Sequence, residues 1–364
     1  MTLKRLSSCL LELYATWLTV EENHRINKRS GAAMSAVYDV VGVGNAIVDV
    51  IKSVPDGFLI EHDIRKGGMT LIDQPRALQL SKLFGTDARF VAGGSGANTI
   101  AGVTSFGGKT GYIGKVAEDA LGRYFRKAME KVEIDFPTAS LEKGPGTARC
   151  IIGVTPDGER SMNTYLGAST EFTDEDVDAE MIKQGKILYL EGYLFDKPEA
   201  KKAFVHAAEI AKAANRRVAL TLSDSFCVDR HRESFQHLIR GHVDVLFANE
   251  AELLSLYETQ DFNKAVQLLR KDAYAAAVTR SSKGSVVITP EEVISLPAEP
   301  VKKVVDATGA GDQYAAGFLF GYARNRRVRD CAKLGHIAAA EVISHYGPRP
   351  EVSYRQLAAK HGLL

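Results

Sequence analysis

Asp306-Ala307-Thr308-Gly309-Ala310-Gly311-Asp312 runs directly into the apolar stretch Tyr314-Ala-Ala-Gly-Phe-Leu-Phe-Gly-Tyr322. Small residues ahead of a helix let backbone N–H groups converge at its N-terminus, where unpaired donors and the positive dipole end favour a phosphate. Asp312 stands at the mouth of that anion hole. A carboxylate beside developing phosphate charge raises the electrostatic energy unless it takes up a proton during the reaction. Taken alone, a glycine-rich turn with an Asp capping the helix explains the stretch equally well. The remainder of the chain decides between the two.

Upstream, strand-like and helix-like segments alternate. Tyr38 to Ile51 reads as a buried strand that runs into a polar bend, Ala97 to Phe106 as a small-residue helix, Thr110 to Val116 as a strand and Asp119 to Val132 as an amphipathic helix. Further strands are expected at Lys186–Leu190, Arg217–Leu222, Val243–Ala248, Ala275–Thr279 and Ser285–Ile288, with helices at Glu199–Asn215, Glu250–Tyr257 and Asn263–Lys271. This alternation implies βαβ units: an α/β fold with a doubly wound, largely parallel sheet flanked by helices. Two segments break the rhythm. One is Lys52 to Gln74. The other, from about Pro137 to Thr170, carries the turn Pro156-Asp157-Gly158 between two strand-like runs and is expected to be a hairpin. Together they are expected to form a small β-sheet lid over a ligand. The expected division is therefore a core of residues 37–52, 75–136 and 171–364, and a lid of residues 53–74 and 137–170.

With 364 residues, 45% of them apolar, the chain can bury a large core. A net charge of +1 gives no broad basic surface for nucleic acid and no reason to expect an anionic membrane. The four cysteines, Cys9, Cys150, Cys227 and Cys331, have no paired spacing, which favours a reducing, cytoplasmic setting. Lys4 and Arg5 precede a moderately apolar run to Val20, but Glu12 interrupts it. No segment approaches the ~18 apolar residues of a membrane span. Residues 1–36 are expected to be a disordered extension, or a start assigned too early, since the first strand-like sequence follows Met34.

Four further features carry chemistry. Ala92-Gly93-Gly94-Ser95-Gly96-Ala97-Asn98 again brings bare backbone to a helix start, with one amide side chain; a tight turn is its plainer explanation. Asn45 and Asp49, four apart, lie past the C-terminal end of the first strand, where ligands of doubly wound sheets bind. A carboxylate can accept from two vicinal hydroxyls there, although an Asx turn fits as well. Asn249 and Glu252 share a face at a helix start and offer hard oxygens to Mg²⁺, directly or through water. Simple helix capping is the alternative. Thr279 to Ile288 is strand, glycine turn at Gly284, strand, on which a nucleotide could lie.

In this order the five features resemble the ribokinase/PfkB family of carbohydrate and nucleoside kinases, over roughly Val37 to Val352. The resemblance implies a ribokinase-like fold and transfer of a phosphoryl group from Mg²⁺-ATP, with Asp312 as general base. Gly309, Ala310, Gly311 and the Asp312 amide form the implied anion hole, and Arg160 on the hairpin reaches over the ATP phosphates. Asn45, Asp49, Gly93, Gly94, Ser95 and Asn98 match acceptor-binding positions; Asn249, Thr279, Gly284 and Thr308 match nucleotide positions; Glu252 and Asn249 match the Mg²⁺-supporting pair. A K⁺ ion near Asp306–Thr308 is left open by the resemblance, as is the choice between a monomer and a lid-mediated dimer.

The acceptor is the less determined part. Ser95 stands where ribokinases usually carry Lys, and the long hairpin, Arg160-Ser161 and Glu191 to Phe195 are similar to the adenosine-kinase-like branch. Tyr165, Tyr193 and Phe195 are expected to supply an apolar slot for a base. Adenosine, phosphorylated on its 5′-hydroxyl, is thus the expected acceptor, with a free sugar such as ribose or fructose as the alternative. Gln313 departs from the small residue usual after the base and is expected to narrow the acceptor space. Rival chemistries fail on single residues. A dinucleotide fingerprint needs glycine at Ile47, a P-loop needs it at Val103, and Cys227, His231, His237 and His242 have no zinc-finger spacing. A non-catalytic binding protein on the same fold would be expected to lack the base or the anion hole, and both are present.

Overall fold

The structure is a computed structural model that describes residues 36–364. The expected N-terminal extension, but for residue 36, lies outside the described residues. Fourteen strands follow one another along the described chain: β1 (Tyr38–Val43), β2 (Ile47–Ser53), β3 (Met69–Leu71), β4 (Arg89–Gly93), β5 (Thr110–Ile113), β6 (Ile134–Asp135), β7 (Ala148–Val154), β8 (Arg160–Tyr165), β9 (Gly185–Glu191), β10 (Arg217–Thr221), β11 (Val245–Asn249), β12 (Ala275–Thr279), β13 (Ser285–Ile288) and β14 (Val293–Leu296). Nine of them form one sheet in the order β14-β13-β12-β11-β10-β9-β1-β5-β6. Its pairings are parallel from β12 through β6, and β13 and β14 add an antiparallel edge.

Side chains of these strands alternate between two helical layers, as the two-residue period requires. In β9, Ile187 and Tyr189 enter one layer while Leu188 and Leu190 enter the other. The first layer is built by the helices Ser95–Ser105, Ala310–Tyr322 and Val328–Val342; the second by Pro198–Ala213, Ser225–Gly241 and Phe262–Asp272. Each fully buried Leu, Ile or Val contributes about 1.5–3 kcal/mol. A one-residue slip would exchange the layers for every side chain of a strand, so burial on both faces fixes the register. The Ala310–Tyr322 helix is apolar on all sides because it lies inside the first layer, buried from Gln313 to Gly321. Among the described residues no helix is long and apolar enough to cross a membrane.

The other five strands form a smaller sheet, β3-β8-β7-β2-β4. Its central hairpin, β7 and β8, pairs antiparallel from Arg149↔Tyr165 to Val154↔Arg160 around the Pro156–Gly158 turn. Tyr38 to Ile51 is two strands rather than one: β1 belongs to the large sheet, β2 to the small one, and residues 44–46 cross between them. β2 and β4 both come from stretches that sequence alone assigned to the core. The helix Ser225–Gly241, kinked at His231, occupies a stretch for which no element was expected from sequence. The crossing at Asn45 sets the location of the site, since it brings the open face of the small sheet against the C-terminal ends of the parallel strands.

Candidate active site

Two glycine turns place two helix N-termini face to face. Gly94, at φ 91°, precedes the Ser95–Ser105 helix, and a Cβ there would meet the Asn45 carbonyl oxygen at 2.3 Å. Gly309, in the left-handed region at φ 80°, precedes the Ala310–Tyr322 helix, and its Cβ would meet Pro348 Cα at 2.7 Å. Both positions need a residue with no side chain. Ser95 Oγ donates to Asp312 Oδ1 at 2.6 Å, and Asn98 Nδ2 donates to Asp312 Oδ2 at 3.2 Å. The Ala310 N–H turns back to Ala307 O at 3.3 Å and the Gln313 N–H to Gly309 O at 2.9 Å. The amides of Gly311 and Asp312 are left without a partner among the described residues.

Asp312 lies at the junction of two cavities. The larger, about 670 Å³, is roofed by the small sheet and lined by Asn45, Asp49, Gly94, Ser95, Asn98, Glu191, Thr308, Gly309 and Asp312. The smaller, about 250 Å³, is lined by Ser95, Asn249, Glu252, Thr279, Gly309, Ala310, Gly311 and Asp312. Thirteen of the candidate site residues singled out in the sequence thus line these two spaces. Gly93 lies just outside, packed against the Asp49 carboxylate.

Burial dominates the electrostatics. Taken out of water, Asp312 is raised to about 6, although its hydrogen bonds from Ser95 and Asn98 favour the charged form. Asp49 is raised further, to about 7, by burial against the opposing pull of Arg160 and Arg349. Glu191 is likewise raised to about 7 by burial. Its Oε1 accepts from Asn45 Nδ2 at 2.9 Å and its Oε2 from the Gly96 N–H at 2.7 Å. Glu191 therefore orients the Asn45 amide and caps the helix that carries Ser95 and Asn98.

Several expectations are corrected. Arg160 does not reach into the phosphate-sized cavity; its Nη1 pairs with Asp306 Oδ2 at 2.5 Å, both side chains almost fully buried. Gly284 lies at the turn before β13, against Leu296 of β14, and lines neither cavity. Phe195 is a core side chain between Phe204 and Phe235, and Tyr165 packs on the far side of the small sheet; of the three expected aromatics only Tyr193 lines the larger cavity. Its apolar end is instead Phe226, 73% exposed, with Met69 and Leu71. Gln313 does not narrow the acceptor space: it is buried, and its Nε2 donates to the Asn98 and Pro348 carbonyls.

Asn249 and Glu252 form a reciprocal cap. Glu252 accepts from the Asn249 N–H at 2.9 Å and from Nδ2 at 2.6 Å, while its own N–H donates to Asn249 Oδ1 at 2.9 Å. With these oxygens engaged, the pair fits a hydrated Mg²⁺ bridged by water better than direct ligation. No cluster of three or more His, Cys, Asp or Glu suited to a metal occurs among the described residues. A monovalent cation on the Asp306 carboxylate does not fit. That carboxylate accepts from Thr308 N, Gly347 N and Arg160 Nη1, so a guanidinium already supplies the positive charge.

Two functional residues escaped the sequence reading. Glu191 ends β9 as Asn45 and Asp49 follow β1, so the rule that ligands gather at the C-terminal ends of parallel strands could have found it. Arg349, in Pro348-Arg349-Pro350, gave no signal; its Nε donates to Asn98 Oδ1 at 3.2 Å.

Comparison with known proteins agrees with this fold. The profile of the pfkB family of carbohydrate kinases matches residues 73–353. The crystal structure of adenosine kinase from Sinorhizobium meliloti is 51% identical, with a TM-score of 0.84, covering 90% of this chain and 100% of that one. A probable sugar kinase protein from Rhizobium etli CFN 42 is 47% identical, with a TM-score of 0.85 and the same coverage. Adenosine kinase 2 of Arabidopsis thaliana is 26% identical over 344 residues, 86% of this chain and 97% of that protein.

Proposed function

The chain belongs to the pfkB family of carbohydrate kinases and is a phosphotransferase with an alcohol group as acceptor; on that footing we propose that it transfers the γ-phosphoryl group of ATP to the 5′-hydroxyl of adenosine, giving AMP. The observation that carries this reading is the position of Asp312 at the junction of the two cavities. A roomy, partly apolar space adjoins it on one side, and a small space lined by helix amides on the other.

Phosphoryl transfer needs in-line positioning and neutralisation of charge more than covalent help. Adenosine enters the larger cavity with its ribose against Asn45, Asp49 and Asn98 and its base towards Phe226, Met69 and Leu71. The 5′-hydroxyl then lies beside Asp312, which accepts its proton as the oxygen attacks the γ-phosphorus. With its carboxyl raised to about 6, Asp312 is ionised at neutral pH yet basic enough to hold the proton in the transition state. The free amides of Gly311 and Asp312 receive the transferring phosphoryl oxygens. The ATP phosphates occupy the smaller cavity between Thr279 and Gly309. Glu252 and Asn249 would hold the water shell of the Mg²⁺ that accompanies ATP, and that ion would supply further neutralisation. The lid segments expected at residues 53–74 and 137–170, which carry β3, β7 and β8 of the small sheet, exclude water by closing over the acceptor.

A free sugar is the second reading, favoured by Glu191. Its buried carboxylate stiffens a polar floor that already carries Asp49 and Asp312, enough to hold a monosaccharide without a base. An ADP-release assay with Mg²⁺-ATP against adenosine, inosine, guanosine, cytidine, ribose, fructose and 2-keto-3-deoxygluconate separates the two. Preference for adenosine is expected. Turnover with a free sugar alone would keep the chemistry and replace the acceptor.

A further inference from the structure

The turn Gly347–Pro350 touches both glycine turns of the site. The Gly347 N–H donates to Asp306 Oδ2 at 3.0 Å, and Pro348 packs against Gly309. Gln313 Nε2 bridges the Pro348 carbonyl, at 2.8 Å, to the Asn98 carbonyl, at 3.0 Å. The next residue completes the grip: Arg349 Nε donates to Asn98 Oδ1, and Asn98 Nδ2 donates to Asp312 Oδ2.

These partners leave the Asn98 amide one orientation. A guanidinium has donors and no acceptor, and an ionised carboxylate has acceptors and no donor, so Oδ1 must face Arg349 and Nδ2 must face Asp312. The two restraints differ when Asp312 carries a proton, as it does once it has acted as base. A protonated carboxyl can itself donate, and the amide could then rotate to offer Oδ1 and hold that proton in place. Arg349 cannot accept in either state and so opposes the rotation.

We infer that Arg349 is a positioning residue: through the Asn98 amide it keeps a hydrogen-bond donor aimed at Asp312 throughout the proton cycle. It thereby favours the ionised base before transfer and release of the proton afterwards. This rests on the assignment of Asp312 as the base. The charged and titratable groups around the pair are Asp49, Glu191, Glu252 and Arg160, with the Tyr112 and Tyr124 phenols beside Arg349 and the Tyr112 and Tyr189 phenols near Asp312. Asp49 is the nearest counter-charge; it partly restores the guanidinium, which burial lowers to about 10, so Arg349 is still a cation at neutral pH. The other carboxyls raise the cost of ionising Asp312 or leave it unchanged, so fixed donors, Ser95 Oγ on Oδ1 and Asn98 Nδ2 on Oδ2, are what favours the charged base.

The test is the pH dependence of kcat/KM for wild type, Arg349→Met, Arg349→Lys, Asn98→Ala and the Asn98→Ala/Arg349→Met double variant, with the acceptor that turns over best. Wild type should lose activity below about pH 6. Arg349→Met should move that acid limb upwards by about one pH unit, making activity near pH 6 roughly tenfold lower than at the plateau. Arg349→Lys, which still donates, should restore the wild-type limb. In the Asn98→Ala background the Met substitution should cause no further shift, since it acts through the missing amide. If Arg349→Met does not fold, Arg349→Ala, which also lacks a donor, in both backgrounds gives the same comparison. A wild-type limb that the Arg349 substitution leaves in place, or a shift equally large without Asn98, would overturn the inference and leave the base assignment standing. Absence of any acid limb in wild type would overturn both.

Discussion

Ser95 Oγ and Asp312 Oδ1 are 2.6 Å apart although 217 positions separate them in the chain. Each opens a helix after a glycine turn, so one hydrogen bond joins the two N-termini that define the site. On the proposed function, acceptor binding and phosphate binding share this atom pair. A shift of either helix start misplaces the base for both, and misplacement of about 1 Å can cost ~10²-fold in rate.

Four buried carboxyls, Asp49, Glu191, Glu252 and Asp312, are raised to between about 6 and about 7, each chiefly by burial. An acid whose folded value lies above its unfolded one stabilises the fold at low pH, and that stabilisation is lost as pH rises through the folded value. His336, lowered to about 4 by burial, works the other way below about pH 6.5, but it is one group against four. The ligand-free enzyme should thus melt higher at pH 5.5 than at pH 8.0, and thermal melts followed by circular dichroism across that range would show it. A melting temperature that is flat or rises with pH would contradict these burial effects.

Arg160 and Asp306 form a buried ion pair, and removing one partner leaves the other uncompensated. Arg160→Met should cost roughly 3–5 kcal/mol of stability, readable as a lowered urea midpoint. Because the guanidinium already serves the Asp306 carboxylate, wild-type turnover should be the same within about twofold in potassium chloride and in choline chloride at equal ionic strength. Activation several-fold greater in potassium would show that a cation competes with Arg160 after all.

Glu191 accepts from two donors at once, the Asn45 amide and the Gly96 N–H. Gln in its place has one carbonyl and must turn its NH₂ towards one of them. Glu191→Gln should raise KM for the acceptor about tenfold, from the ~1–3 kcal/mol cost of a buried donor left unpaired, with a smaller change in kcat. An effect confined to kcat would assign Glu191 to the chemical step instead.

Phe226 is the exposed aromatic at the rim of the larger cavity. If it receives the base, Phe226→Ala should weaken adenosine by about tenfold in KM, within the ~1–3 kcal/mol usual for stacking on an aromatic ring, and leave any activity on ribose unchanged. Equal losses on both acceptors would favour the free-sugar reading.

The legibility of this molecule in its sequence follows the range of the interactions involved. The parallel sheet was readable because β9 to β12 are short apolar runs with helices between them, a local signal. The glycine turns at Gly94 and Gly309 were readable because only small residues fit there, and Asn45 because it follows a strand, whereas Asp49 lies within β2. The exchange of β2 and β4 into the smaller sheet was not readable, since a strand does not record which sheet it joins. The aromatics failed for a related reason: Phe195 and Tyr193 differ by two positions, yet one faces the core and the other the cavity. The ion pair of Arg160 was not readable, because its partner Asp306 lies 146 residues away. Arg349 was silent because its meaning depends entirely on the Asn98 amide it meets in the folded state.

The central claim is that Asp312 is the base, and Asp312→Asn tests it most directly because the amide keeps the shape of the side chain while losing basicity. Single-turnover phosphorylation, measured beside calorimetric binding of the acceptor and of ATP, separates chemistry from binding. The expected result is a loss of ~10³-fold in the phosphoryl-transfer rate with both affinities within a few-fold of wild type. Retention of more than about a tenth of the wild-type rate by the Asn variant, correctly folded and saturated, would contradict the assignment.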